Sequence, residues 1–241
     1  MISVFVISLS VSEDRRAAIT QNLSDLAIPF EFVDGIDGRH GLDPVSEKLV
    51  DREAMARSYC RVLNDAEFGC ALSHIKAYRT IVDRDLDWAL VLEDDATVLE
   101  PALEYLNDGH YRLADITQLG YVRAYVRDRT RRALFGRFSA YPKITKASGA
   151  FGYVISRRLA KYWSIHALPV VREADWPECG KDFVWDVVHP RLVTHPENAD
   201  EQSIIGASFD ERRRKRLLEK IGLHPRAWPR AWAKMTSRRV P

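Results

Sequence analysis

Leu90-Val91-Leu92-Glu93-Asp94-Asp95 is an apolar run that ends in three consecutive acids. Trp88 to Leu92 reads as a buried strand. A buried strand does not tolerate unpaired charge, so the acids are expected just past it, at the edge of a sheet. Open α/β sheets bind ligands beyond the carboxyl ends of their strands. Three carboxylates placed there suit a divalent ion that also takes phosphate oxygens. A solvated acidic turn is the other reading of the same residues.

Working outward, Ile2 to Ser8 reads as a first core strand. Ser12 is a candidate N-cap with acids behind it, and a helix is expected to about Leu26. Phe30 to Asp34 reads as a second strand, and Gly35, Gly38 and Gly41 mark the next stretch as a loop. This β-α-β opening points to a Rossmann-like α/β fold with a mostly parallel sheet flanked by helices. Residues 42 to 66 show no clear pattern. A helix is expected after Gly69, carrying Leu72, Ser73, His74, Tyr78 and Ile81. Asp115 to Leu119 reads as a strand and Ser156 to about His166 as a helix. Residues 123 to 138 carry Arg123, Arg127, Arg129, Arg131, Arg132 and Arg137 with no period, which reads as a mobile basic loop. Trp176 to Trp185 is short and rich in aromatic residues.

At 241 residues, with 29% charged residues, the chain has room for one sizeable core. No run of eighteen apolar residues is present, and Met1 to Ile7 lacks the basic region and cleavage site of a signal peptide. Cys60, Cys70 and Cys179 are odd in number and lack metal-like spacing, so a reduced, cytoplasmic compartment is expected. Cys70 reads as a buried small hydrophobe. The net charge of +2 hides an asymmetry. From Arg212 to Pro241, eleven Lys or Arg face one acid, which leaves −8 for the remainder. Such a cluster seeks phosphate on a membrane surface or a nucleic acid.

The ordered motifs resemble glycosyltransferase family 25, the bacterial lipooligosaccharide-type galactosyl- and glucosyltransferases. They are Val6-Ile7-Ser8-Leu9 with Arg15-Arg16, Glu67 to His74, Ala89 to Asp95, Gly149 to Ser156, Ala174-Asp175-Trp176 and Gln202-Ser203-Ile204-Ile205. The resemblance implies a GT-A fold over residues 1–210, followed by a basic, Trp-containing tail over 211–241. It also implies a UDP-sugar donor, UDP-galactose or UDP-glucose, and inversion at the anomeric carbon. A Mn2+ or Mg2+ ion would bridge the diphosphate and neutralise the charge that builds on the leaving group.

By that likeness Glu93-Asp94-Asp95 corresponds to the DXD motif. Asp95 ligates the metal, and Glu93 or Asp94 contacts metal or ribose. His195 is the candidate third ligand, with a structural histidine as its other reading. Asp175 is the candidate base that deprotonates the acceptor hydroxyl, or else a helix cap. Asp182 and Asp186 are alternative bases. Ser8, Arg15, Asp34, Ser73, His74, Gly149 and Gly152 are candidate nucleotide or sugar contacts. Each also has a plain structural reading as a first-turn charge, a turn residue or a packed helix start. A Gly before a helix N-terminus would let phosphate approach at Gly69 to His74.

The expected acceptor is an oligosaccharide or phosphorylated glycolipid of the lipopolysaccharide core or a related surface glycan. The arginine-rich stretch is expected to meet it. Leu217, Leu218, Ile221, Trp228, Trp232 and Met235 interleave with the tail's basic residues, a pattern suited to an anionic membrane interface. A helix packed on the body is the other reading. No nucleic-acid module accompanies the charge, so nucleic acid is not expected as a partner. The expected location is peripheral, on the cytoplasmic face of the inner membrane. Two other functions remain open at this stage: a non-catalytic nucleotide- or glycan-binding protein on the same fold, and a metal-dependent phosphate-ester hydrolase.

Overall fold

A computed structural model describes residues 2–59, 63–142, 147–174, 176–177, 182–196 and 238–240. The strands are β1 (Ser3–Ser8), β2 (Glu31–Asp34), β3 (Trp88–Glu93), β4 (Thr97–Val98), β5 (Ile116–Gln118), β6 (Ala124–Val126), β7 (Arg132–Ala133), β8 (Ser139–Pro142), β9 (Gly152–Ser156), β10 (Trp185–His189), β11 (Val193–Thr194) and β12 (Arg238–Val240). The helices are α1 (Glu13–Asp25), α2 (Pro44–Glu47), α3 (Arg52–Tyr59), α4 (Asp65–Asp83), α5 (Ala102–Asn107) and α6 (Arg157–His166).

Eight strands form one sheet in the order β2-β1-β3-β9-β5-β10-β8-β7. The pairings set six of them running the same way, with β9 and β8 opposed. This is the α/β, mostly parallel arrangement that the opening motif predicts. β1, β3 and β9 are buried along nearly their whole length, which is why they read as continuous apolar runs.

Alternate residues go to opposite faces. Phe5, Ile7, Ala89, Val91, Tyr153 and Ile155 pack with α4 and α6 on one side. Val4, Val6, Leu90, Leu92 and Val154 pack with Ile19 and Leu23 of α1 and with Tyr105 of α5 on the other. The result is a three-layer sandwich. Two-stranded pairs β11-β4 and β12-β6 lie outside the main sheet.

Three expectations are corrected. The long helix starts at Asp65, not after Gly69. Asn64 Oδ1 accepts from Glu67 N at 2.8 Å, and Glu67 Oε2 accepts from Asn64 N at 2.9 Å, a reciprocal capping box. Gly69 is therefore inside α4, where a Cβ would lie 2.4 Å from the Ile36 carbonyl oxygen. Its glycine permits close packing of helix on loop, and no helix N-terminus is present there to receive phosphate. The arginine-rich stretch is not a free loop. It contains β6 and β7, buries Ala124, Val126 and Phe138, and pairs with Ser148 through Arg123. Ser12 precedes α1 as expected but makes no side-chain capping bond.

Among the described residues, no helix is long and apolar enough to cross a membrane. Gln202 to Ile205, Arg212 to Ser237 and the division at residue 210 lie outside the described residues.

Candidate active site

The carboxyl edge of the sheet gathers the acids. Parallel pairing sets Ser8 beside Asp34 and Ile7 beside Glu93. The ends of β1, β2 and β3 thus share one rim. β9 runs the other way, so its start reaches the same rim, with Gly152 beside Leu92. Gln118, at the end of β5, pairs with Tyr153 there.

The three acids have different roles. Asp94 is 8% exposed and turned inward. Its Oδ2 accepts from Ser8 Oγ at 2.7 Å and its Oδ1 from Arg15 Nη1 at 2.9 Å. Both oxygens are engaged by the protein, so Asp94 locks β1 and α1 to the end of β3. Ser8 is committed to the same lock. Arg16 closes it from outside, donating to the Ser8 and Leu9 carbonyls at 3.1 Å and to Asp34 Oδ1 at 2.5 Å. Asp34 otherwise faces solvent.

Asp95 is the unsatisfied member. Its Oδ2 lies 3.6 Å from Arg15 Nη1. Its Oδ1 is buried and has no hydrogen-bond partner among the described residues. Burial, then the neighbouring Glu93, pushes its carboxyl up from 3.8 to about 6, with Asp94 adding to the effect. Arg15 and His195 act in the opposite direction. An orphaned, destabilised carboxylate with Glu93 beside it is a donor pair that a hard divalent cation would neutralise.

β11 brings His195 to this point. Thr194 pairs with Thr97 on β4, directly after the acids. His195 follows in register, its Nδ1 2.7 Å from the Pro196 carbonyl oxygen and its ring edge-on to Phe151 at 4.3 Å. Gly152 is glycine because a Cβ would lie 2.7 Å from Val193 Cγ1. Gly149 has φ +96° and its carbonyl accepts from Gln118 Nε2 at 3.1 Å. Gly149 thus serves a left-handed backbone position, and Gly152 the close approach of β9 to Val193.

Ser73 and His74 are buried. Ser73 Oγ donates to Gly69 O at 2.7 Å and accepts from Ile36 N at 2.8 Å, tying α4 to the loop after β2. His74 Nε2 lies 3.1 Å from Glu93 Oε1, and Nδ1 lies 2.7 Å from Tyr153 OH. These two residues are buried and bonded within the protein, supporting the rim from below.

Asp186 sits near the start of β10, 1% exposed and paired with Arg132, away from the rim. Asp182 is exposed. Asp175 lies outside the described residues. Its neighbour Trp176 is buried, donates from Nε1 to Ala147 O at 2.9 Å and has φ +132°, a strained conformation for a bulky side chain.

Sequence reasoning missed Gln118, a 0%-exposed amide whose Oε1 has no partner among the described residues. It also missed Tyr153 as the partner of His74. A polar residue closing an apolar strand was the available signal for Gln118. Nothing local marks Tyr153.

A layered α/β sheet with an acidic rim defines the class: a fold suited to binding phosphorylated ligands at its carboxyl edge. The chain belongs to glycosyltransferase family 25 (LPS biosynthesis protein), which its residues 1–175 match. A Haemophilus influenzae protein named as a glycosyltransferase is 28% identical over 260 residues, covering 98% of this chain and 87% of the relative. The lacto-N-neotetraose biosynthesis glycosyltransferase LgtE of Neisseria meningitidis is 26% identical, covering 89% of this chain and 84% of its own. Human procollagen galactosyltransferase 2 is 33% identical over 97 residues, which are 38% of this chain and 15% of that protein.

Proposed function

We propose that this family 25 glycosyltransferase is a metal-dependent, inverting enzyme. It moves galactose or glucose from a UDP-sugar to a saccharide of the lipopolysaccharide core or a related surface glycan. The observation that carries this reading is Asp95. Its buried Oδ1 has no partner among the described residues, and its carboxyl is pushed up to about 6 by burial and by Glu93. Such a group is stabilised by a cation. The names of the relatives, a lacto-N-neotetraose biosynthesis enzyme and a procollagen galactosyltransferase, support a hexose donor and a glycan acceptor.

In this reading Asp95 and Glu93 would hold Mn2+ or Mg2+, with His195 as a further ligand. When bound, the ion offsets the negative charge that develops on the departing diphosphate. Asp94, Ser8 and Arg15 hold the acids in place. Asp175 takes the proton of the acceptor hydroxyl as that oxygen attacks the anomeric carbon, opposite the leaving UDP. Arg123 pairs with Ser148 beside Gly149, so the start of the arginine-rich stretch is the part that would meet an anionic acceptor at the rim. The basic segment from Arg212 to Ser237 rests on the anionic cytoplasmic face of the inner membrane, ahead of the Arg238–Val240 strand that pairs with β6.

Calorimetric titration of UDP, with and without Mn2+, on wild type and Asp95→Ala tests the donor site. Binding that needs both the metal and Asp95 supports it. UDP binding unchanged by either removal refutes it. With a donor bound, Asp175→Asn is expected to keep UDP affinity and lose transfer. Phosphate or sugar release without an acceptor at the full rate would indicate a hydrolase. Tight donor binding with no transfer to any glycan would indicate a binding protein.

A further inference from the structure

Below the rim, one turn of α4 and the end of β3 bring together three different metal-binding side chains. Cys70 and His74 are four residues apart and share a face of α4. Glu93 meets them from β3. The ligand atoms of Cys70, His74 and Glu93 all lie within 4.8 Å of one another. Cys70 is half-buried, not fully buried as its type suggests. A tetrahedral zinc-type ion, with bonds of about 2.3 Å to sulfur and 2.0–2.1 Å to nitrogen or oxygen, sets its ligands about 3.5 Å apart. His74 Nε2 and Glu93 Oε1 are already at 3.1 Å. Side-chain movements of about 1 Å therefore close the set around an ion, with a fourth position open.

The surroundings of His74 are those of a metal ligand. Zinc-binding histidines donate their other ring N–H to a fixed acceptor, which sets the tautomer and orientation. Here Tyr153 OH lies 2.7 Å from Nδ1, and Tyr78 OH lies 3.3 Å beyond it. Coordination through Nε2 puts the ring hydrogen on Nδ1. Tyr153 then accepts it and donates its own hydrogen to Tyr78. All three rings are buried, so this second shell is preorganised.

We propose that Cys70, His74 and Glu93 form a site for a thiophilic divalent cation such as Zn2+. Its chemistry is distinct from that of the carboxylate-rich rim, because the Cys70 thiolate selects softer metals. Glu93 belongs to both places. A cation held by Cys70 and His74 draws the Glu93 carboxylate inward, away from Asp95. Occupancy therefore opposes cation binding at the rim, a consequence that rests on the role proposed above for Glu93.

The test uses Co2+ as a spectroscopic probe of the full chain, with Zn2+ as competitor and no nucleotide present. One equivalent of Co2+ is expected to give tetrahedral visible bands and a near-ultraviolet thiolate charge-transfer band, both erased by Zn2+. Cys70→Ser should remove the thiolate band while far-ultraviolet dichroism stays unchanged. A Cys60→Ser/Cys179→Ser double variant should keep it. Tyr153→Phe is expected to weaken Co2+ affinity about 10- to 100-fold. A thiolate band that survives Cys70→Ser, or disappears in the double variant, overturns the assignment. In the second arm, Zn2+ is expected to lower Mn2+-dependent UDP affinity in wild type and not in Cys70→Ser. Equal loss in both proteins overturns the antagonism. If UDP never binds with Mn2+, the donor-site reading fails while the cobalt result still decides this site.

Discussion

Asp95→Asn is expected to make the metal-free protein more stable at neutral pH. The carboxyl is displaced from 3.8 to about 6 by burial and by Glu93, and the side chain is 22% exposed. A carboxyl raised in the folded state binds its proton more tightly there than in the unfolded chain. Its contribution is thus fully present below about pH 4 and is lost as pH rises to about 6 and beyond. The loss is on the order of 3 kcal/mol at pH 7.5. The neutral amide avoids it, although its own buried polar atoms return part of the gain. For a chain of this size the difference appears as a rise in Tm of roughly 5–10 °C. Thermal unfolding followed by circular dichroism at pH 4 and pH 7.5, with chelator present, measures it. The two proteins should converge at pH 4 and separate at pH 7.5. Mn2+ at about a hundred times its Kd should then raise wild type by about 2.7 kcal/mol and leave Asp95→Asn unmoved. An Asp95→Asn protein less stable than wild type at pH 7.5 without metal would refute the reasoning.

Arg132→Ala leaves the 1%-exposed Asp186 charge without its partner and is expected to cost about 3 kcal/mol in urea unfolding, the low end for a broken buried pair because the guanidinium is 40% exposed. The loss should shrink in acid, where the raised carboxyl of Asp186 takes up its proton. Gly152→Ala pushes a methyl group to 2.7 Å from Val193 Cγ1. It should cost about 1–3 kcal/mol and weaken Mn2+ binding, because Val193 lies two residues before His195. Unchanged Mn2+ affinity in calorimetry would remove His195 from the cation site. Asn64→Ala removes the cap of α4 and should cost about 1 kcal/mol with no change in UDP affinity.

Residues with strong local signals were readable. β1, β2, β3 and α6 declare themselves through apolar runs, alternation and a Ser156 cap that accepts from Leu159 N at 3.2 Å. The start of α4 was also written locally, in Asn64 and Glu67, but Gly69 resembles a helix boundary. Only the close approach of Ile36 explains why glycine sits inside a helix. Strands β4, β6, β7 and β11 are two or three residues long, too short for any period to appear. Their existence depends on partners far away in the chain. The acids of the rim were legible as a group, but their separate roles were not. Asp94 is clamped and Asp95 orphaned because of where Ser8 and Arg15 arrive from β1 and α1. The proximity of His195 is set by the pairing of Thr194 with Thr97.

The antiparallel strand β9 has a consequence for how the chain is made. It lies between β3 and β5, yet it emerges after both. Until Gly152 leaves the ribosome, the apolar flank of Trp88–Glu93 has only β1 beside it, and its other edge is open. At 5–20 residues per second the wait is roughly 3–12 s. An unpaired hydrophobic strand edge is a template for association with other chains. Nascent chains stalled between β5 and β9 should therefore be the species most dependent on chaperones, and slow codons in that interval should lower soluble yield without altering the finished enzyme.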